Sequence, residues 1–211
     1  MGENIENLFS KKDDAAQKVK TGTEQANPLL KPSKIFRIAV SGDVTVTRLE
    51  REIIDTLDFQ RLRGIRQLGN VMLVYPCALH TRFDHSLGTL YMASQMIESI
   101  QNNAHSTEDE RNIDDNQVIL TRLYALLHDI THVSFGHTIE DELGLIPRHD
   151  QNAKRILQFI GPQSEIGKII IKTLGQDMYD RFMSIYLWDD GEQRSDKMTE
   201  MRNKWPEQVN Y

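Results

Sequence analysis

Asp115-Asn116-Gln117-Val118-Ile119-Leu120-Thr121-Arg122-Leu123-Tyr124-Ala125-Leu126-Leu127-His128-Asp129 is the stretch on which the fold turns. Ile119, Leu120, Leu123, Leu126, Leu127 and the following Ile130 are apolar over more than one helical stripe. The segment therefore reads as a central buried helix, with Asp114 or Asp115 as its N-cap and the His-Asp doublet on its final turns. Adjacent His and Asp offer an imidazole nitrogen and a carboxylate oxygen to one ion, a mixed set that suits iron, manganese, zinc or magnesium. His132 and His137 follow closely, and His85 lies in a second polar motif upstream. Taken singly, each His is more readily a satisfied core residue. Four of the seven histidines gathered around one carboxylate point instead to a divalent-metal site built for hydrolysis.

Working outward, Ile35, Phe36, Ile38, Val40, Val44 and Val46 alternate about Ser41-Gly42-Asp43, which predicts a short β-hairpin over residues 34–47. Thr47 and Glu50 have capping-box spacing, and Leu49, Ile53, Ile54 and Leu57 then share a helical face. Phe59, Leu62, Ile65 and Leu68 continue that spacing up to Gly69, leaving Arg61, Arg63 and Arg66 as a basic set suited equally to a solvated face or to anion contact. An extended piece is expected over 71–75, then helices carrying Leu87 to Ile100, His137 to Leu143, His149 to Ile160, Ile166 to Leu174 and Met178 to Leu187. The domain reading is a flexible tail over 1–33, one helical domain over 34–188 and a polar C-terminal segment over 189–211.

Composition narrows the function classes. A chain of 211 residues allows one core comfortably, and no apolar stretch approaches the ~20 residues of a membrane span. The N-terminus lacks the apolar core of a secretory signal, so a cytoplasmic location is expected. A net charge of −6 argues against general nucleic-acid affinity, though a local basic cluster could still hold a small anion. The lone Cys77 has no partner for a disulfide or a CxxC motif and is expected to pack as a small apolar residue.

Four motifs carry a family resemblance: Ile54-Asp55-Thr56-Leu57-Asp58-Phe59-Gln60-Arg61-Leu62-Arg63; Gln67-Leu68-Gly69; His80-Thr81-Arg82-Phe83-Asp84-His85-Ser86-Leu87-Gly88; and Leu127-His128-Asp129-Ile130-Thr131-His132-Val133-Ser134-Phe135-Gly136-His137. In that order they resemble the HD-domain phosphohydrolase superfamily and, within it, the deoxynucleoside triphosphate triphosphohydrolases. The match is specific from about Lys34 to Asp150. The resemblance implies an all-α HD-domain helical bundle with a small N-terminal β-hairpin. It also implies a metal held by His85, His128, Asp129 and a later Asp, and hydrolysis between the α-phosphorus and the deoxyribose 5′ oxygen. His137 matches the catalytic histidine, with Glu140 placed to orient it; Arg82, His132 and His149 match phosphate-facing residues; Gln67 matches the side chain that reads the sugar. Asp55, Gln60 and Arg63 match an activating-nucleotide site at a subunit interface, and homo-oligomers are usual in the family. A plain Asp and Arg pairing on a helix surface fits those three positions equally well.

Two departures accompany the match. Ser41-Gly42 stands where the family commonly has His-Gly, which puts the hairpin's regulatory role in question. A late D-x-x-D-Y-x-x-R-D pattern is also missing. Asp177-Met178-Tyr179-Asp180 is only a distant echo, and the charged stretch from Asp189 onward reads like a truncated boundary. Three readings follow: a dNTP triphosphohydrolase, an HD phosphohydrolase acting on another nucleotide phosphoester, and a non-catalytic nucleotide-binding subunit with three metal ligands of four.

Overall fold

Thr47 closes a capping box with Glu50, its side chain accepting from the Glu50 amide while Glu50 accepts from the Thr47 amide at 2.7 Å, and so switches the chain from strand to helix. The structure, a computed structural model, describes residues 27–104, 113–149 and 152–186. The expectations for most of the N-terminal tail, for Leu187 and for the 189–211 segment lie outside those residues. Before the box, a 3-10 turn, Pro28–Leu30, leads into β1 (Pro32–Ile38) and β2 (Gly42–Thr47). The strands pair antiparallel with Phe36 opposite Val44, and Gly42 takes the positive φ that the turn requires. Leu29 and Leu30 already pack against the core, so the fold begins ahead of residue 34.

The helices are α1 (Arg48–Ile54), α2 (Leu57–Gln60), α3 (Arg82–Ala104), α4 (Asp115–Leu127), α5 (Ala153–Ile160), α6 (Glu165–Leu174) and α7 (Gln176–Tyr186). Asp114 caps α4 with Gln117 in a second capping box. Leu87 and Leu90 of α3 join Leu123, Leu126 and Leu127 of α4 in the core, with Phe59, Leu62, Ile160, Ile170 and Phe182 closing over it. Each such fully buried side chain contributes roughly 1.5–3 kcal/mol of transfer free energy. The all-α bundle with a small hairpin is therefore the architecture. Among the described residues no helix is long and apolar enough to cross a membrane.

Three local readings are corrected. The helix expected through Leu68 breaks after Gln60 into a 3-10 turn, Arg61–Gly64, because the next backbone finds partners across the chain. Arg82 N donates to Ile65 O at 2.9 Å and Gln67 N to His80 O at 3.1 Å, and this tertiary pairing overrides helical spacing. Residues 71–75 are not extended: a 3-10 turn spans Gly69–Leu73, and both Val74 and Tyr75 donate back to Val71. Cys77 on this same loop is exposed rather than packed.

Candidate metal centre

Two helix ends build the site. Thr81 accepts from the Asp84 amide while Asp84 accepts from both the Thr81 amide (2.9 Å) and hydroxyl (2.8 Å), starting α3 so that Arg82 and His85 stand one turn apart on its first coil. At the other end, α4 stops at Leu127 with His128 as its C-cap, so the doublet sits just past the helix rather than on its last turns. The amides of Ile130 and His132 then reach back only to Leu127 and Asp129, which tightens the chain into successive turns.

The three expected ligands converge. His85 Nε2 and His128 Nε2 are 3.2 Å apart, and Asp129 Oδ2 is 3.6 Å from His85 Nε2. One ligand atom from each of these residues lies within 4.8 Å of the other two. His128 Nδ1 stands 2.9 Å from the Ala125 carbonyl and can only donate to it, which leaves the Nε2 lone pair facing His85. Burial pushes the His85 imidazolium below its ordinary range, against the nearby Asp129 charge, so the ring is held in its neutral, ligating form. For Asp129, burial alone would raise the pKa. The His132 hydrogen bond and the Arg82 guanidinium are among the interactions that outweigh it and hold the carboxyl well below the usual range. Two imidazole nitrogens and an ionised carboxylate at this spacing fit a divalent cation.

Beside this group, three imidazoles meet. His132 is 1% exposed, its Nε2 is 3.3 Å from Asp129 Oδ1, and its ring stacks on His149 at 3.5 Å between centroids. His137 meets both rings edge-on at 5.1 and 5.6 Å. The Thr131 hydroxyl donates to the His149 carbonyl at 3.0 Å and ties the doublet's turn to this cluster. Gly136 is needed here, because a Cβ at that position would lie 2.7 Å from His132 Nδ1, inside the contact limit of a wedged ring.

The Glu140 partnership differs from expectation. Glu140 is buried in a single π-helical turn, Thr138–Glu142, and bonds His149 Nδ1 at 2.9 Å and Arg155 Nη1 at 3.4 Å, whereas His137 Nδ1 meets Asp141 at 3.2 Å. The acidic partner of His137 is thus one residue further along. Arg82 is 3% exposed, with Nη1 on Asp129 Oδ2 at 2.7 Å and a buried Nε without a partner. Gln67 Oε1 is likewise buried and unpartnered. Asp177 pairs with Arg181 at 3.2 Å on α7, 74% exposed, and joins no metal-capable group among the described residues.

Sequence reasoning did not find Asp141, Arg155, Gly136 or Tyr186. The Tyr186 hydroxyl is buried without a partner and raised well above its ordinary pKa by burial, with Tyr124 and Asp129 adding to the effect. No periodicity signals these contacts: Arg155 and Tyr186 arrive through the docking of α5 and α7, and Asp141 and Gly136 are set by the local turns around His137.

The buried His132 makes stability depend on pH. Its imidazole falls from an ordinary 6.5 to about 4, chiefly through burial, with Arg82 adding and the Asp129 hydrogen bond opposing. Between those values the unfolded chain binds a proton that the native state does not, so stability is full above about 6.5 and declines as pH falls toward 4. Asp129, held low, acts in the same direction through the carboxylate range. With a chelator present, the urea midpoint should fall between about pH 7 and about pH 5. A flat midpoint there would contradict a neutral buried His132.

Comparisons with known proteins identify the family of this fold. The HD domain family model matches residues 82–199, more than half of the chain. An uncharacterized protein of Methanocaldococcus jannaschii is 48% identical over 107 residues, 51% of this chain and 21% of that protein. A protein from Dictyostelium discoideum named deoxynucleoside triphosphate triphosphohydrolase SAMHD1 homolog is 35% identical over 135 residues, 62% of this chain and 26% of its own. Mouse deoxynucleoside triphosphate triphosphohydrolase SAMHD1 is 31% identical over 150 residues, 67% and 22% respectively. The chain thus spans about a fifth to a quarter of these relatives. A crystal structure of a hypothetical protein from Aquifex aeolicus superposes with TM-score 0.55 and 28% identity, covering 81% of this chain and 45% of that one. The family match begins at Arg82, where α3 starts, and carries both His85 and the doublet that the folded chain brings together, and on it the chain belongs to the HD-domain family.

Proposed function

We propose that this HD domain hydrolyses deoxynucleoside triphosphates to deoxynucleoside and triphosphate. The observation that carries the reading is the meeting of His85, His128 and the Asp129 carboxylate beside a buried arginine and a stack of imidazoles. The two named relatives above support the substrate class by their names. A divalent ion held by His85, His128 and Asp129 would supply the Lewis acidity that polarises a phosphoryl oxygen and acidifies water.

The chain's own residues divide the remaining work. Arg82, with Nε unpartnered, offers a fixed donor to a phosphate oxygen, and His132 Nδ1, also buried and unpartnered, offers a second contact as an anion favours its protonation. His149, held by Glu140, faces the same space. Water adds to the α-phosphorus, the bond to the 5′ oxygen breaks, and that oxygen takes a proton. Exposed His137, its Nδ1 fixed by Asp141, is placed to deliver the proton from Nε2. Gln67 Oε1 is an open acceptor for a sugar hydroxyl.

The cytoplasm, where the dNTP pool is used, suits this activity, and homo-oligomerisation is supported by the exposed Leu73, Val74 and Tyr75. The open cleft of about 630 Å³ beside Asp55 is lined by Lys34, Arg51, Glu52, Thr56, Glu165 and Ile169 as well, three acids against two bases, a balance that does not favour an activating nucleotide there. Gln60 and Arg63 are engaged elsewhere, Gln60 Nε2 on the Ile54 carbonyl and Arg63 on Gln60 and the Phe83 ring.

Incubation with a dNTP mixture and manganese, followed by phosphorus NMR, should show inorganic triphosphate; orthophosphate or pyrophosphate as the first product would discard the reading. His137→Ala should retain bound metal and lose about 10²–10⁴-fold in turnover. Undiminished turnover in that variant would remove His137 from the proton path.

A further inference from the structure

Arg61 belongs to the basic set left open between a solvated face and anion contact, and it does neither. Its guanidinium turns inward across about seventy residues of sequence, Nη1 donating to the His132 carbonyl at 2.6 Å and Nη2 to the Ile130 carbonyl. The plane lies over the Phe159 ring of α5, 4.5 Å from its centroid. These two carbonyls lie two and four residues beyond the His128 C-cap of α4, in the tight turns that follow the helix. Arg61 thus clamps, from another part of the chain, the turn carrying Asp129 and His132.

We propose that Arg61 is a positioning residue for the metal-binding turn, fixing the direction in which the chain leaves α4 and hence the facing of Asp129 and His132. The inference rests on the reading of His85, His128 and Asp129 as a metal site. The geometry requires an arginine. Two carbonyls two residues apart are met by one planar fork, which a lysine ammonium on a flexible stem does not reproduce. The Ile130 and His132 amides bond backward to Leu127 and Asp129, so with the fork removed the two carbonyls ahead of them lose their donors and the turn its register. Asp129 Oδ1 and His132 Nε2, 3.3 Å apart, move with that register.

The test compares Arg61→Ala, Arg61→Lys and Phe159→Leu with the parent protein, using cobalt(II) as the metal probe. Arg61→Ala and Arg61→Lys should bind cobalt roughly 10–100-fold more weakly, the range expected when an outer partner of a metal site is lost. Their cobalt d–d spectra should be altered, and millimolar guanidinium should restore affinity and spectrum to Arg61→Ala. Phe159→Leu, which loses packing and keeps the fork, should lower the thermal midpoint and leave the spectrum unchanged. Parental cobalt affinity and spectrum in both arginine variants would overturn the proposal, as would a loss that guanidinium does not reverse and that Phe159→Leu shares. Should the parent protein bind no cobalt, the metal reading fails on its own, and Arg61 is judged by the His132 imidazole nitrogen resonances. A shift in Arg61→Lys together with a shift in Arg61→Ala that guanidinium reverses supports positioning, and unmoved resonances refute it.

Discussion

Asp129→Ala will abolish metal binding and also destabilise the metal-free fold by about 3–5 kcal/mol, the usual cost of breaking a buried ion pair from one side. The reason is Arg82, which is 3% exposed and has its Nη1 on Asp129 Oδ2. Removing the carboxylate leaves that guanidinium charged, dehydrated and without its partner, while His132 Nε2 loses its acceptor. His128→Ala provides the contrast. It deletes a candidate ligand that is partly exposed, bonded to a helix carbonyl and a second imidazole and 3.4 Å from Asp129, whose charge Arg82 still balances, so the ion is lost without a stranded charge. Metal content by mass spectrometry and urea unfolding with a chelator present separate the two effects. Equal unfolding midpoints for the two variants would show that Arg82 finds another partner when Asp129 is gone. As metal ligands alone, both residues would be removable at little cost to the fold. The Arg82 contact reverses that expectation for Asp129, because it makes one carboxylate serve both ligation and charge balance.

Arg122→Met should cost a similar amount, about 3–5 kcal/mol, far from the metal centre. Arg122 grips Glu50 through Nε at 2.7 Å and Nη2 at 2.8 Å, donates to the Thr45 carbonyl at 3.1 Å, and reaches the Ser94 hydroxyl through Nη1. One side chain thereby joins β2, α1, α3 and α4. Glu50 is itself 3% exposed and closes the Thr47 capping box, so losing Arg122 leaves a buried carboxylate unbalanced at the start of α1. A second substitution decides whether charge is the cause. Arg122→Met with Glu50→Leu should recover part of the loss, since an apolar pair of matched volume removes the stranded charge. A double variant no more stable than Arg122→Met would show instead that the cap and the packing of Glu50 dominate.

Much of the fold could be read where local chemistry and tertiary packing agree. The Thr47 and Asp114 caps, the turn at Gly42 and the continuous apolar faces of α3, α4 and α6 all place their elements within a few residues. The reading fails between Arg61 and Tyr75: helical spacing runs on to Leu68 while Ile65 and Gln67 pair with Arg82 and His80, and the piece expected to be extended over 71–75 turns back on Val71. It fails for Cys77, because a small apolar residue on a surface loop has nothing to pack against. At the site, motif order sufficed to gather His85, His128 and Asp129. Partnerships among neighbours did not follow: Glu140 and Asp141 are adjacent acids, and the π-helical turn, which no side-chain pattern announces, decides that the first faces His149 and the second His137. Arg61 shows the same limit, since the basic set in the 3-10 turn carries no mark of which arginine turns inward.

The candidate ligands come from the opening turn of α3 and the close of α4, with the 105–112 stretch and most of both helices lying between them in sequence. No cation can be shared until those helices have docked, and closing so long a loop comes at an entropic cost that precedes any coordination. An ion held there would fasten an assembly already made, and its influence would fall on how slowly the protein comes apart rather than on how quickly it first assembles, as for any contact absent from the folding transition state.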